Sequence, residues 1–272
     1  MKQIKQNKQG IVSSKVFDDY NEGIILSIIC ETDKTAVSSL FRTLVFHITS
    51  LCTIYHPKRI GDILTITLDN FYKKIYPNCD TIEDAINWVK DTQKEEISIE
   101  YYKTLTSTIG RNFLKIVGYD TPDKKISALL LLGGKGMAKG SIYDTEQLAT
   151  IVAKQIVETN PLTTKRCFLT PSIINYIGQQ TINTFREKDF ISIRNPITKQ
   201  NELVSTSSER IMKQFITEDI NKFIKENVLE CQDFYYKPET TINKQFRYST
   251  VEQYLKDVGL WIVGDFIRHS IK

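Results

Sequence analysis

Residues that commonly do chemistry are scarce in this sequence. It has three histidines, His47, His56 and His269, and five cysteines, Cys30, Cys52, Cys79, Cys167 and Cys231, none of them in a C-x-x-C pair. The spread matches no standard zinc spacing and argues against a disulfide framework, which points to a reducing compartment. No N-x-[ST] sequon occurs, no apolar signal core opens the chain, and no uninterrupted apolar run nears the ~18 residues a membrane span needs. G-x-S-x-G and H-E-x-x-H are both missing, and no pair of carboxylates stands apart from helix surface. The expectation is an intracellular protein with no membrane insertion, and with no catalytic residue, metal ligand or cofactor to nominate.

What is present is a globular composition and a sorted charge. At 272 residues the chain has room for one large domain or two lobes. The net charge of +4 sits wholly in the first 17 residues, on Lys2, Lys5, Lys8 and Lys15. Asp80 to Glu100 holds seven acids and two lysines, whereas Arg111 to Lys139 and Asn160 to Asn201 each hold six bases and two acids. Blocks of this kind imply a polarised surface.

Helical periodicity dominates. "KTAVSSLFRTLVFHITSLCTIY" places Val37, Leu40, Phe41, Leu44, Val45, Ile48, Leu51 and Cys52 on one face, with His47 beside it as a packing residue. "TIEDAINWVKDTQ" opens on a capping box, Thr81 to Asp84. "EYYKTLTSTIGRNFLKIVGYD", "TPDKKISALLLL", "TEQLATIVAKQIVET", "SIINYIGQQTINTFREK", "SSERIMKQFITEDINKFIKENVLE" and "STVEQYLKDVG" all read as helices, with "RNPITKQNELVST" a proline-containing loop. "GIILSIIC" fits a buried strand or the start of a helix, and "ILTITLDNF" alternates as a strand. The expected fold is mainly α: two helical lobes around a basic cleft, one small β-hairpin near residues 60 to 72, and terminal arms. Its divisions are a basic N-terminal arm (1–20), an N-terminal lobe (21–110), a C-terminal lobe (111–248), and a last helix with a C-terminal arm (249–272).

"ALLLLGGKGMAKGSIYDTEQL" tests for a phosphate loop. No register gives G-x-x-x-x-G-K-[ST], and Gly134, Gly136 and Gly140 miss G-x-G-x-x-G by one residue. Thr121, Pro122 and Asp123 read as a helix start and Gly133-Gly134 as its stop, so the stretch reads as a joint between two helices bearing Lys135 and Lys139. Basic residues also stand beside aromatics in "FYKKIY", "TFREKDFISIRNP" and "INKQFRYS", a combination that holds single-stranded nucleic acid by phosphate contacts and base stacking. Phosphate contacts are assigned to Lys73, Lys74, Arg111, Lys115, Lys135, Lys139, Arg186, Arg194 and Arg247, and stacking to Tyr72, Phe185 and Tyr248. The tail after the last helix, with Trp261, Ile262, Phe266 and Ile267, is apolar enough to seek a neighbouring subunit.

Val117-Gly118, Thr121-Pro122-Asp123, "ALLLLGG", "SIYDTEQLATIV" and "FRYSTVEQYLKDVG" together resemble the nucleoproteins of segmented negative-strand bunyaviruses, those of tospoviruses above all and of emaraviruses next. The resemblance implies two helical lobes around a cleft for single-stranded RNA, arms that dock on further copies of the chain, a viral polymerase as partner, and a place in the host-cell cytoplasm and the virion. The function expected on this basis is encapsidation of viral genomic RNA without strong sequence preference. Two alternatives stand beside it: a helical protein–protein interaction module or viral accessory or movement factor, and a nucleotide-using enzyme built on the glycine loop.

Overall fold

The structure, a computed structural model, describes residues 8–17, 22–107, 114–134, 145–187, 190–194, 200–205, 209–232, 250–257 and 259–271. The chain divides into two compact units, one of Met1–Asn160, Tyr235–Gln245 and Leu255–Lys272, the other of Pro161–Phe234 and Phe246–Tyr254.

Two antiparallel sheets stack at the heart of the first unit. β1 (Gln9–Val16), β2 (Glu22–Cys30) and β3 (Ser98–Thr106) form one in that order, and β4 (Leu114–Asp120), β5 (Ile126–Gly134) and β8 (Leu260–Ser270) form the other. Val12 and Ile25 of the first sheet pack against Ile116, Leu129, Leu131 and Ile267 of the second. The opposite face of β2 presents Ile24, Leu26 and Ile28 to a core shared with α2 (Ser39–Tyr55) and α5 (Ile82–Gln93). α6 (Thr145–Thr159) packs on β4 and β5. Short helices α1 (Asp33–Val37), α3 (Ile60–Leu64) and α4 (Asn70–Ile75) complete the helical layer over the first sheet. The order is therefore helices, sheet, sheet, helix.

In the second unit α7 (Pro171–Arg186) and α8 (Glu209–Asn227) pair lengthwise, joined through a hairpin of β6 (Phe190–Arg194) and β7 (Asn201–Ser205). Leu169, Ile224 and Val228 close one end of the pair, and Thr181 donates to Asp219 across it at 2.8 Å. α9 (Val251–Asp257) begins in this unit and returns the chain to the first.

The fold is thus mixed α/β, and the mainly helical expectation is wrong for identifiable reasons. β2 and β5 are buried on both faces, so their apolar runs are continuous and lose the two-residue alternation that marks a strand. Thr121 and Pro122 start a β-turn, with Lys124 N donating to Thr121 O and Lys124 at φ +57°; Thr121 N donates to Ile126 O, and Ile126 N donates back to the Thr121 hydroxyl. Gly133 and Gly134 do not cap a helix. A Cβ on Gly133 would lie 2.3 Å from Trp261 Nε1, and one on Gly134 would lie 2.5 Å from Leu260 Cδ2, so both glycines let β8 approach. "EYYKTLTSTIGRNFLKIVGYD" supplies most of β3 and all of β4 instead of a helix, and "RNPITKQNELVST" opens on the last residue of β6 and supplies β7. The strand expected near residues 60 to 72 shrinks to one bridge, from Thr67 between α3 and α4 to Thr81 at the start of α5. Neither expected arm is an arm throughout, since Gln9–Val16 is β1 and Leu260–Ser270 is β8.

Candidate docking surface

The turn from β2 into α1 is fixed from two sides. The Thr32 hydroxyl accepts from Thr35 N at 3.3 Å as N-cap and donates to Glu95 Oε1 at 2.5 Å, while Thr32 N donates to Glu95 Oε2 at 3.1 Å. Burial pushes the Glu95 carboxyl up. Hydrogen bonds from the Thr32 and Thr35 side chains and from the Thr32 and Glu31 backbone outweigh it and hold the group below its ordinary value. Glu31, Asp33 and Lys34 are left exposed on this rigid turn, with Lys125 Nζ 3.7 Å from Asp33 Oδ1. A cleft of about 660 Å³ beside it is lined by Glu31, Asp91, Glu95 and Glu96 against Lys90 and Lys94, an acidic excess that disfavours phosphate.

A second feature gathers aromatics around His47. His47 is buried on α2, and its Nδ1 lies 2.9 Å from Tyr76 Oη. Burial lowers its pKa. The rings of Phe46, Phe71, Tyr72 and Tyr76 surround it at 5.0–6.2 Å between centroids. Phe46 and Phe71 are 63% and 60% exposed, so the cluster opens to the surface through them. Burial first, then the Asp69 carboxylate and the Tyr55 phenol, raise the Tyr72 pKa. Asp69 caps α4 by accepting from Phe71 N and Tyr72 N.

The nominated residues divide accordingly. Tyr72, Lys73 and Lys74 lie together on α4, where Lys73 is paired with Asp80 at 2.5 Å and Lys74 is exposed. Lys115 is half-buried on β4. Arg111, Lys135, Lys139, Arg247 and Tyr248 lie outside the described residues, as do the side chains of Phe185 and Arg186 at the end of α7 and of Arg194 in β6. Trp261, Ile262, Phe266 and Ile267 lie on β8, which hydrogen-bonds to β5 of its own chain. Ile262 and Ile267 are buried there, Phe266 is half-buried, and Trp261 covers Gly133. The sequence reading missed Phe46. Its signal was legible, because it falls outside the apolar series of α2 and so puts a large ring on the wet face. Among the described residues no group of three His, Cys, Asp or Glu side chains could hold a metal, and no helix is long and apolar enough to cross a membrane.

A sequence profile of the family described as Elongation factor TS matches residues 31–271. Proteins named elongation factor Ts resemble the chain along most of its length. That of Amoebophilus asiaticus is 26% identical over 259 residues, covering 95% of this chain and 77% of its own. That of Chloroherpeton thalassium is 23% identical over 239 residues, covering 88% and 72%, and that of Clostridium tetani 25% over 266, covering 96% and 74%.

These matches overturn the nucleoprotein expectation. A profile running from α1 to the end of β8 outweighs a likeness built on short segments, two of which are a β-turn and a strand where the likeness needed a helix. Single-stranded RNA and a viral polymerase as partners, a virion location and the viral keywords fall with it, as do the accessory-factor and glycine-loop enzyme alternatives. From α1 through both units to the last strand, the chain belongs to the elongation factor Ts family.

Proposed function

We propose that this chain is a nucleotide exchange factor that acts on elongation factor Tu during translation. The observation that carries this reading is the family match over residues 31–271. An exchange factor makes and breaks no covalent bond. It binds its partner more tightly without nucleotide than with it, and by linkage the bound nucleotide is then held more weakly in the same proportion. Such work calls for a stiff surface that keeps its shape on docking. The doubly held Thr32 turn and the aromatic cluster around His47 are features of that kind.

The test is release of a fluorescent GDP analogue from purified elongation factor Tu, chased with excess GDP, with and without this chain. Release should accelerate with its concentration, and the affinity for GDP should fall by about 5–150-fold, the usual range of such coupling. Release that does not change at saturating concentrations would overturn the proposal.

A further inference from the structure

Four of the most exposed large apolar side chains of the first unit come from one stretch of chain: Phe46 at 63%, Ile54 at 64%, Tyr55 at 53% and Phe71 at 60%. Phe46 and Ile54 are eight residues apart on α2, two helical steps of four along one face, so they share an outward stripe with Arg42 and Ser50. Phe71 and Tyr72 approach that stripe through His47. Tyr55, close enough to Tyr72 to raise its pKa, borders a cleft of about 270 Å³ with Pro57, Asp62, Thr65, Ile66 and Thr67. Contiguous exposed apolar surface of this kind marks an interaction site more often than chance.

The charge around it is mostly positive. Lys15 Nζ sits 5.8 Å from the centroid of Phe46, Arg42 precedes Phe46 by one helical turn, and Lys74 follows Phe71 by three residues on α4. Among the described residues, Lys15, Arg42 and Lys74 form no salt bridge. The neighbouring acids are engaged: Asp69 caps α4, Asp80 pairs with Lys73, and Asp62 pairs with Arg59. A second copy docking through the same patch about a twofold axis would set cation against cation. The complementary occupant is therefore a different protein surface, apolar at its centre and acidic at its edge.

We propose that the Phe46–Ile54–Tyr55–Phe71 patch, with Lys15, Arg42 and Lys74 at its rim, is a docking surface for an acid-edged apolar face of elongation factor Tu. This rests on the exchange-factor reading above.

The experiment measures the concentration of full-length chain that half-maximally accelerates release of the fluorescent GDP analogue, for the wild type, for Phe46→Ser with Phe71→Ser, and for Arg42→Glu with Lys74→Glu. Circular dichroism and thermal melting accompany each variant. The serine pair should raise the half-maximal concentration roughly tenfold or more, as loss of central aromatic anchors does. The charge-reversed pair should weaken docking at low salt and converge toward the wild type at high salt. The charge-reversed pair alters only exposed groups, so it reads the surface even if the serine pair unfolds. If the wild type accelerates release and folded variants match it at every salt, the patch is overturned while the exchange-factor reading stands. If the wild type does not act on elongation factor Tu, both are overturned. A wild-type dimer in light scattering that the serine pair abolishes would overturn the proposal by giving the patch to a second copy.

Discussion

Asp120 accepts from four donors on two sheets and a turn, and its removal should cost much of the stability of the first unit. Its Oδ1 accepts from Ser14 N at 3.0 Å, Ser14 Oγ at 2.5 Å and Ser127 Oγ at 2.6 Å, and its Oδ2 accepts from Lys124 Nζ at 2.8 Å. Ser14 belongs to one sheet and Ser127 to the other, so this single side chain, only 11% exposed, ties the two layers together. Asp120→Ala strips four donors of their acceptor at once, three of them on Oδ1. Hydrogen bonds to a charged group contribute about 1.5–3 kcal/mol each, but these three share one oxygen and will not add. A total of about 3–5 kcal/mol is expected, the usual cost of removing one partner from a buried charged network. Asp120→Asn keeps an oxygen for the serines and turns an amide toward Lys124, which is half exposed and can swing into water, so its cost should be only about 1 kcal/mol. Urea unfolding followed by tryptophan fluorescence reads this unit alone, because Trp88 and Trp261 both belong to it. Alanine and asparagine variants of equal stability, or an alanine variant within about 1 kcal/mol of the wild type, would refute the assignment of Asp120 as the tie between the sheets.

Three further outcomes are expected. Gly133→Ala should destabilise the first unit by about 1–3 kcal/mol through its collision with the Trp261 ring, and Trp261→Ala in the same chain should recover part of that loss in urea melts. Burial lowers the His47 pKa below 6.5, and burial lowers that of His269 despite the opposing Glu100 carboxylate. The unfolded state then binds more protons below about pH 6.5, so stability should be full above that pH and fall as the pH drops through the lowered values. Replacing both histidines with glutamine should flatten the decline. The Glu95 carboxyl is held below its ordinary value, so the order it lends the Thr32 turn should be present above pH 4.5 and lost as the pH falls through the lower folded value. Faster hydrogen exchange at Thr35 N in Glu95→Gln at neutral pH would check it, and unchanged exchange would contradict it.

The helices that the sequence announces are those whose local chemistry and burial agree. α2 carries an apolar face against the first sheet, and α5 opens on the Thr81–Asp84 capping box and buries Ile82, Ala85, Ile86 and Val89. α7 and α8 also show helical periodicity, as expected of helices that each bury one face against the other. The strands failed for the opposite reason. β5 is sandwiched between α6 and the first sheet, so Ala128, Leu130 and Leu132 are as buried as Leu129 and Leu131, and no polar face remains to betray a period of two. β8 pairs with β5 across more than a hundred intervening residues. Nothing local in "LWIVGDFIRHS" distinguishes it from a loose apolar tail.

The same blindness explains how the functional reading went astray. Once "TPDKKISALLLLGG" is taken as a helix with a glycine stop, it lines up with any protein that has two apolar helices around a short loop. Taken as a turn and a buried strand, its glycines answer to Trp261 and Leu260, and the likeness loses its register. In "FYKKIY" Phe71, Lys73 and Lys74 are exposed, because exposure of an aromatic beside a lysine is a local property of α4, while Tyr76 is buried. What the residues alone could not supply was the cluster's partner. Lys73 and Lys74 beside Tyr72 suit a phosphate and a base as well as they suit an acidic protein edge, and only the fold adds Phe46, Ile54 and Tyr55 to make the patch broad and apolar. Breadth then favours protein over nucleic acid. Stacking on a strand of RNA needs rings spaced along a charged groove, whereas the rings of Phe46, Phe71 and Tyr72 crowd around His47 within 6.2 Å of its centroid, with Lys15 beside Phe46.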